Sequence, residues 1–161
     1  MSPLLKALRP RQWTKNLVVF AGLAFSGQAL DSEVAMAAAL AFALFCAASS
    51  GVYLFNDLLD RERDQQHPIK RLRPIAAGEL SPQTAALTAA VLASGAFALA
   101  WALALGQAWQ AIGAYLLLQL AYTLRLKHVF LLDVFSIAAG FLLRVLAGVW
   151  AIEAPLSPWL V

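Results

Sequence analysis

Charge is scarce in this chain of 161 residues: Asp, Glu, Lys and Arg make up 13%, while the hydrophobic set makes up 61%. A soluble domain has roughly 45 to 50% apolar and about 25% charged residues, so a water-soluble globule is excluded, as are disordered and fibrous classes. Cysteine is nearly absent. The single Cys46 rules out an intrachain disulfide and a thiolate ligand set, and its place inside an apolar run makes it a small packing residue. Internal repeats and low-complexity tracts are lacking as well. A net charge of +3 and a pI near 9.4 would suit nucleic acid only if basic residues clustered on a soluble face, so no nucleic-acid partner is expected.

What is abundant is apolar sequence in long runs, with a mean hydropathy of +0.72. Runs near 13–30, 34–56, 82–105, 109–126 and 129–152 each approach the length that spans a bilayer, separated by a polar loop at 57–81. The expected fold is all-α: one multi-pass helical membrane domain over 1–161, with the lipid bilayer as its surroundings. The first run follows Lys6, Arg9, Arg11 and Lys15 and has the outline of a secretory signal, but four further runs argue for a genuine helix. Leu4, Leu5 and Leu8 beside Lys6 and Arg9 form a short amphipathic approach, and Trp13 suits the interface. Eleven of the twelve Lys and Arg residues fall in alternate loops, which places the N-terminus, the 57–81 loop and the Arg125–His128 loop in the cytoplasm. In the second run Ala35, Ala39, Ala43, Ala47 and Gly51 recur every fourth residue, a row that lets another helix approach closely. Ser81 and Pro82 form a start signal for the third helix.

Chemistry is concentrated where the second run ends, in Asn56, Asp57, Leu58, Leu59, Asp60, Arg61, Glu62, Arg63 and Asp64. On a helix turning about 100° per residue, with Asn56 as zero, Asp60 falls at about 40°, Asp64 at about 80° and Asp57 at about 100°. Three carboxylates and an amide therefore share one arc. Such crowding is unfavourable without a cation, and Mg²⁺ takes oxygen ligands while keeping waters and substrate phosphates in its shell. The alternative is a solvated helix end neutralised by Arg61 and Arg63, with Arg61 placed to form an exposed pair with Asp57 worth a few tenths of a kcal/mol.

Immediately downstream, Pro68 disfavours helix at His67, and Pro74 with Gly78 mark a shaped loop. Lys70, Arg71 and Arg73 supply the cations that a diphosphate requires beyond its metal. Cytoplasmic positive charge explains the loop's sign but not its pairing with carboxylates. In the fifth run Ser136, Gly140, Arg144 and Gly148 lie within about 60° of the face that carries Asp133. Arg144 is about 16 Å beyond Asp133, too far to pair with it, and is expected to face a cavity or another helix's carboxylate.

Asn56, Asp60 and Asp64, followed by Lys70, Arg73, Pro74 and Gly78, resemble the first aspartate-rich motif of the UbiA superfamily of intramembrane prenyltransferases, N-D-x-x-D-x-x-x-D with a downstream K-R-x-R-P. The resemblance implies Asn56, Asp60 and Asp64 as Mg²⁺ ligands and Asp60, Asp64, Lys70 and Arg73 as catalytic residues acting on a diphosphate. Asp57 and Arg71 are added as substrate-binding residues. Tyr122, Lys127 and Asp133 resemble the family's tyrosine and lysine motif with its following aspartate, and join Arg144 in substrate binding; by themselves Tyr122 and Lys127 read as an interfacial anchor pair. The opening Arg9 to Asn16 and the string His67 to Gly78 look most like the decaprenyl-phosphate phosphoribosyltransferases of that superfamily. This resemblance implies transfer of ribose 5-phosphate from phosphoribosyl diphosphate to a polyprenyl phosphate in a bacterial-type inner membrane.

Two alternatives stay open. An aromatic prenyltransferase of quinone or related lipid synthesis would use the same metal logic with a prenyl diphosphate donor. A non-catalytic membrane segment or transporter part would suit Asp133 and Arg144, but no inverted repeat or matching Gly/Pro-broken helices are found, and the acidic row goes unexplained. The family's bundle has about nine helices and a second charged motif after the sixth. This chain ends at Val161 after the fifth, with Pro155 to Trp159 resembling the start of a sixth, so an inactive piece of a larger bundle is expected.

Overall fold

A short helix, α1 (Pro3–Ala7), opens the chain, with Ser2 Oγ accepting from the Leu5 N–H at 3.3 Å. The structure is a computed structural model and describes residues 2–155, so the expected start of a sixth helix at 156–159 lies outside the described residues. Arg9 then turns the chain with a left-handed backbone (φ 54°), and Pro10–Phe20 run as a 3-10 helix into α2 (Ala21–Phe25). An α-helix was expected near 13–30. The difference has a visible cause: Trp13, Asn16, Val19 and Gly22 recur every third residue, and side chains three apart eclipse on a 3-10 helix. Trp13 Nε1 donates to Ser50 Oγ at 2.9 Å, Asn16 Nδ2 donates to Ser49 Oγ at 3.1 Å, and Val19 is fully buried. The steeper rise also stretches the 3-10 segment and α2 to about 30 Å, the thickness of a bilayer's hydrocarbon core.

The long α3 (Ser32–Leu59) starts at Asp31, whose Oδ1 accepts from the N–H groups of Glu33 and Val34. Its path continues through Asp60 into α4 (Arg61–Gln66), because Asp60 N–H bonds the Asn56 carbonyl and Asp64 N–H bonds the Asp60 carbonyl. A 3-10 turn at Lys70–Leu72 follows, then α5 (Pro82–Ala102), α6 (Ala108–Leu124), a second 3-10 turn at Leu126–His128, and α7 (Phe130–Ala151). The cap expected at α5 is present, with Ser81 Oγ accepting from Thr84 N–H at 3.1 Å and Pro82 in the first turn. Among the described residues α3, α5 and α7 are long and apolar enough to cross a membrane, whereas α6 has 17 residues.

α3 lies along α5, α6 along α7, and the 3-10 segment wedges between α3 and α7. Phe45, Ile112, Tyr115, Val19 and Ala147 form the centre of the main core. A second cluster of Leu54, Ile75, Leu80 and Ala85 fastens the loop after α4 to the end of α3. The four-residue row on α3 is not one packing face: Ala39 and Ala43 are exposed, while Ala38, Ala41 and Ala48 are buried. Each step of four advances about 40° around a helix, so the row drifts by about 160° from Ala35 to Gly51. Gly51 does pack closely, since a Cβ there would lie 2.9 Å from the Ala89 carbonyl oxygen. At Gly148 the backbone of the 3-10 segment is in the way, and a Cβ would collide with the Val19 carbonyl. Gly148→Val should lower stability by about 3 kcal/mol or more, read as an earlier midpoint in thermal unfolding in detergent; an unchanged midpoint would refute the close contact.

Candidate active site

At the end of α3 the apolar sequence gives way to carboxylates, and Asp57, Asp60 and Asp64 each find a cation brought from elsewhere in the chain. Asp57, 3% exposed, accepts from Arg9 Nη2 at 2.5 Å (Oδ1) and 2.8 Å (Oδ2) and from Arg73 Nη1 at 2.9 Å. The same Arg73 nitrogen reaches Asp64 Oδ2 at 2.6 Å, so one guanidinium bridges two acids seven residues apart. Their closeness follows from the helical arc of the acidic row. Asp60, on the neighbouring part of the arc, accepts from Lys127 Nζ at 3.0 and 3.1 Å. Arg61 does not neutralise Asp57, as the solvated-end alternative supposed: burial of Asp57 puts it within reach of residues packed over α3 rather than of the helix's own outer face.

The loop holds Arg73 by backbone geometry. His67 Nδ1 accepts from the N–H groups of Ile69 (3.2 Å) and Lys70 (3.3 Å), capping the 3-10 turn. Arg73 N–H bonds the Lys70 carbonyl at 2.9 Å, and Ala77 N–H bonds the Arg73 carbonyl at 2.8 Å. Gly78 closes the loop in the left-handed region at φ 77°. Lys70 lies in a basic cleft of about 420 Å³ with Lys6, Arg9, Gln12 and Arg73. Arg71 is exposed and forms no ion pair among the described residues, so it stays outside the cluster.

Of the second group, Tyr122 O–H donates to Asp133 Oδ1 at 2.8 Å, while Lys127 joins the first group through Asp60. Arg144 lies deeper. Its Nε donates to Asn16 Oδ1 at 2.7 Å, Nη1 to the Gly140 carbonyl at 2.7 Å and Nη2 to Tyr115 Oη at 3.2 Å. The expected stripe is buried as a unit, with Ser136, Gly140, Arg144 and Gly148 all inward. Of the two surroundings expected for Arg144, the cavity is present and no carboxylate pairs with it among the described residues. Sequence reasoning assigned no role to Arg9, Asn16 or Tyr115. Arg9 and Asn16 stand in the opening string that carried the family resemblance, whereas Tyr115 had no signal beyond its place in an apolar run.

Asn56, Asp60 and Asp64 offer hard oxygen donors on successive turns. Among the described residues no three His, Cys, Asp or Glu side chains converge as a closed cage. The donor set, one amide and two carboxylates, is of the chemistry Mg²⁺ takes, with waters and substrate phosphates completing its octahedron.

This bundle, with its acids and cations gathered at one end of α3, is of a known kind. The chain matches the UbiA prenyltransferase family over residues 16–161 and belongs to it. It is accordingly a multi-pass integral membrane protein. Among its relatives, the decaprenyl-phosphate phosphoribosyltransferase of Mycolicibacterium smegmatis is 43% identical over 163 residues, which covers 99% of this chain and 51% of the relative. The corresponding enzyme of Corynebacterium glutamicum is 40% identical, covering 97% of this chain and 48% of the relative. The solved structure of a UbiA homolog from Archaeoglobus fulgidus, bound to DMAPP and Mg²⁺, superposes with a TM-score of 0.79 at 23% identity, over 98% of this chain and 57% of that one. The chain thus spans about half the length of the curated relatives it matches.

Arg9→Gln should destabilise the protein by about 1 to 2 kcal/mol, since it leaves buried Asp57 with Arg73 alone. A double-mutant cycle with Asp57→Asn, measured by unfolding in detergent, should give a coupling of about 1 kcal/mol or more; strict additivity would show that the pair carries no energy.

Proposed function

We propose that the protein is a Mg²⁺-dependent membrane transferase that moves 5-phosphoribose from phosphoribosyl diphosphate to a polyprenyl phosphate. The observation that carries this reading is the gathering of Asp57, Asp60 and Asp64 with Arg9, Arg73 and Lys127, which unites both motif segments at one end of the bundle. The high identity to phosphoribosyltransferases supports the choice of donor and acceptor. The distribution of Lys and Arg supports a cytoplasmic location for this end, in a bacterial-type inner membrane.

Mg²⁺ held by Asn56, Asp60 and Asp64 would supply Lewis-acid charge to the diphosphate. Arg73 and Lys127 keep N–H donors beyond those bonded to carboxylates, and these stabilise the charge that develops as the diphosphate leaves. Lys70 and Arg71 add positive potential on the loop. The C1–O bond of the sugar breaks with its electron pair departing on the diphosphate, and an oxygen of the lipid phosphate forms the new bond to C1. That acceptor is already anionic, so no strong base is required. Tyr122, tied to Asp133, and Asp57, tied to Arg9 and Arg73, orient the groups around the reacting atoms.

A second reading, an aromatic prenyltransferase using a prenyl diphosphate, is favoured by an apolar groove of about 390 Å³ between α3, α5 and α6, lined by Val52, Phe55, Leu58, Leu116 and Leu120. In the first reading the groove takes the acceptor's hydrocarbon tail. The test uses membranes expressing the complete reading frame, with Mg²⁺, labelled phosphoribosyl diphosphate and a polyprenyl phosphate. Label should enter the lipid phase, and Asp60→Asn or Asp64→Asn should lower the rate by about 100-fold or more, the effect of losing a principal stabiliser of transition-state charge. No transfer from this donor, with transfer from a prenyl diphosphate to an aromatic acceptor, would replace the first reading by the second.

A further inference from the structure

We propose that Arg144 selects the class of donor: its guanidinium binds the phosphate that a phosphopentosyl diphosphate carries at the far end of the sugar and that a prenyl diphosphate lacks. The inference rests on the phosphoribosyl reading given above.

Arg144 is 6% exposed and lies on a membrane-spanning helix, where an unpaired charge is costly. It forms no ion pair among the described residues. The rings of Tyr115, Phe141 and Phe45 stand 4.8, 5.3 and 5.4 Å from its guanidinium carbon, which offsets part of the charge without neutralising it. Three of the five N–H donors of a guanidinium are engaged, by Asn16, Gly140 and Tyr115. One donor on each terminal nitrogen is left over, enough for a further anionic acceptor such as a phosphate.

The surroundings have the chemistry of a phosphorylated sugar. Arg144 lines a cavity of about 260 Å³ with Lys15, Tyr53, Gln119, Tyr122 and Ser136, a second cation together with hydroxyl and amide groups. Lys15, Tyr53 and Gln119 make no side-chain hydrogen bond among the described residues and would find none against a hydrocarbon chain, which the apolar groove on α3, α5 and α6 suits instead. The position along α7 also fits. The Arg144 side chain folds back one turn to the Gly140 carbonyl, seven residues from Asp133, or about 10 Å along the axis. Tyr122, bonded to Asp133, lines the same cavity. One sugar ring with phosphates at both ends covers such an interval.

A strut that only ties the 3-10 segment to α7 would make the same three hydrogen bonds, so the test must separate the two roles. On the purified protein from its complete reading frame, binding of ribose 5-phosphate and of inorganic diphosphate with Mg²⁺ would be measured as separate probes, alongside donor KM and kcat. Arg144→Gln should weaken ribose 5-phosphate by about 50-fold and leave diphosphate within about threefold, with donor KM raised and kcat little changed. Arg144→Lys, which keeps a charge but not the guanidinium, should fall between, and carries the test if the glutamine variant does not fold. Equal loss of both probes, or loss of neither, would overturn the role given to Arg144 while phosphoribosyl transfer by the unsubstituted protein stands. Absence of that transfer, with prenyl transfer in its place, would overturn the functional reading itself.

Discussion

Asp57 lies in the last turn of an apolar helix of 28 residues and is almost sealed from solvent, where a carboxylate is tolerable only with cations on its oxygens. Arg9 comes from the bend before the 3-10 segment and Arg73 from the loop after α4, so one buried acid fastens three segments that lie apart in the chain. The rest of the candidate site follows from that fastening. Arg73 also holds Asp64, and α4 is thereby fixed against the loop. Asp60, left on the open side of the arc, meets Lys127 from the turn between α6 and α7. Three carboxylates face three cations, and the row is balanced as it stands.

A second constraint runs through the interior. Polar groups inside a membrane bundle must satisfy one another, and the three-residue period of the 3-10 segment lets Trp13 and Asn16 do so along one line. Asn16 is the hinge of this arrangement, donating its amide hydrogens to Ser49 Oγ and Cys46 Sγ while its Oδ1 accepts from Arg144 Nε. Gly148 then allows the Val19 backbone to press against α7, which holds the segment near enough for that contact. The bonds of Arg144 to Asn16, Gly140 and Tyr115 hold its guanidinium at the wall of the cavity.

Much of this could be read from the sequence where a local period decides the outcome. The acidic arc, the Ser81 cap and the inward stripe from Ser136 to Gly148 all follow from helical geometry over a few turns. The small row on α3 does not follow in the same way, because a spacing of four drifts too far to mark one face. What could not be read depends on packing between distant segments. Arg9 and Asp57 are 48 residues apart and Asn16 and Arg144 are 128 apart, and no pattern along the chain links either pair. The 3-10 conformation likewise depends on the partners its stripe finds on α3 and α7.

The acidic row is balanced by Arg9, Arg73 and Lys127, and on the proposed function it would become a metal site only together with a diphosphate. The test is calorimetric titration of Mg²⁺ into the purified protein, with and without saturating inorganic diphosphate, each corrected by the same titration of protein-free buffer so that Mg²⁺ bound by free diphosphate is removed. The account predicts weak Mg²⁺ binding alone and binding at least about tenfold tighter with diphosphate, a coupling of about 1.4 kcal/mol that diphosphate must show reciprocally toward Mg²⁺. Tight Mg²⁺ binding that is indifferent to diphosphate would contradict it, since the carboxylates would then form a metal cage of their own.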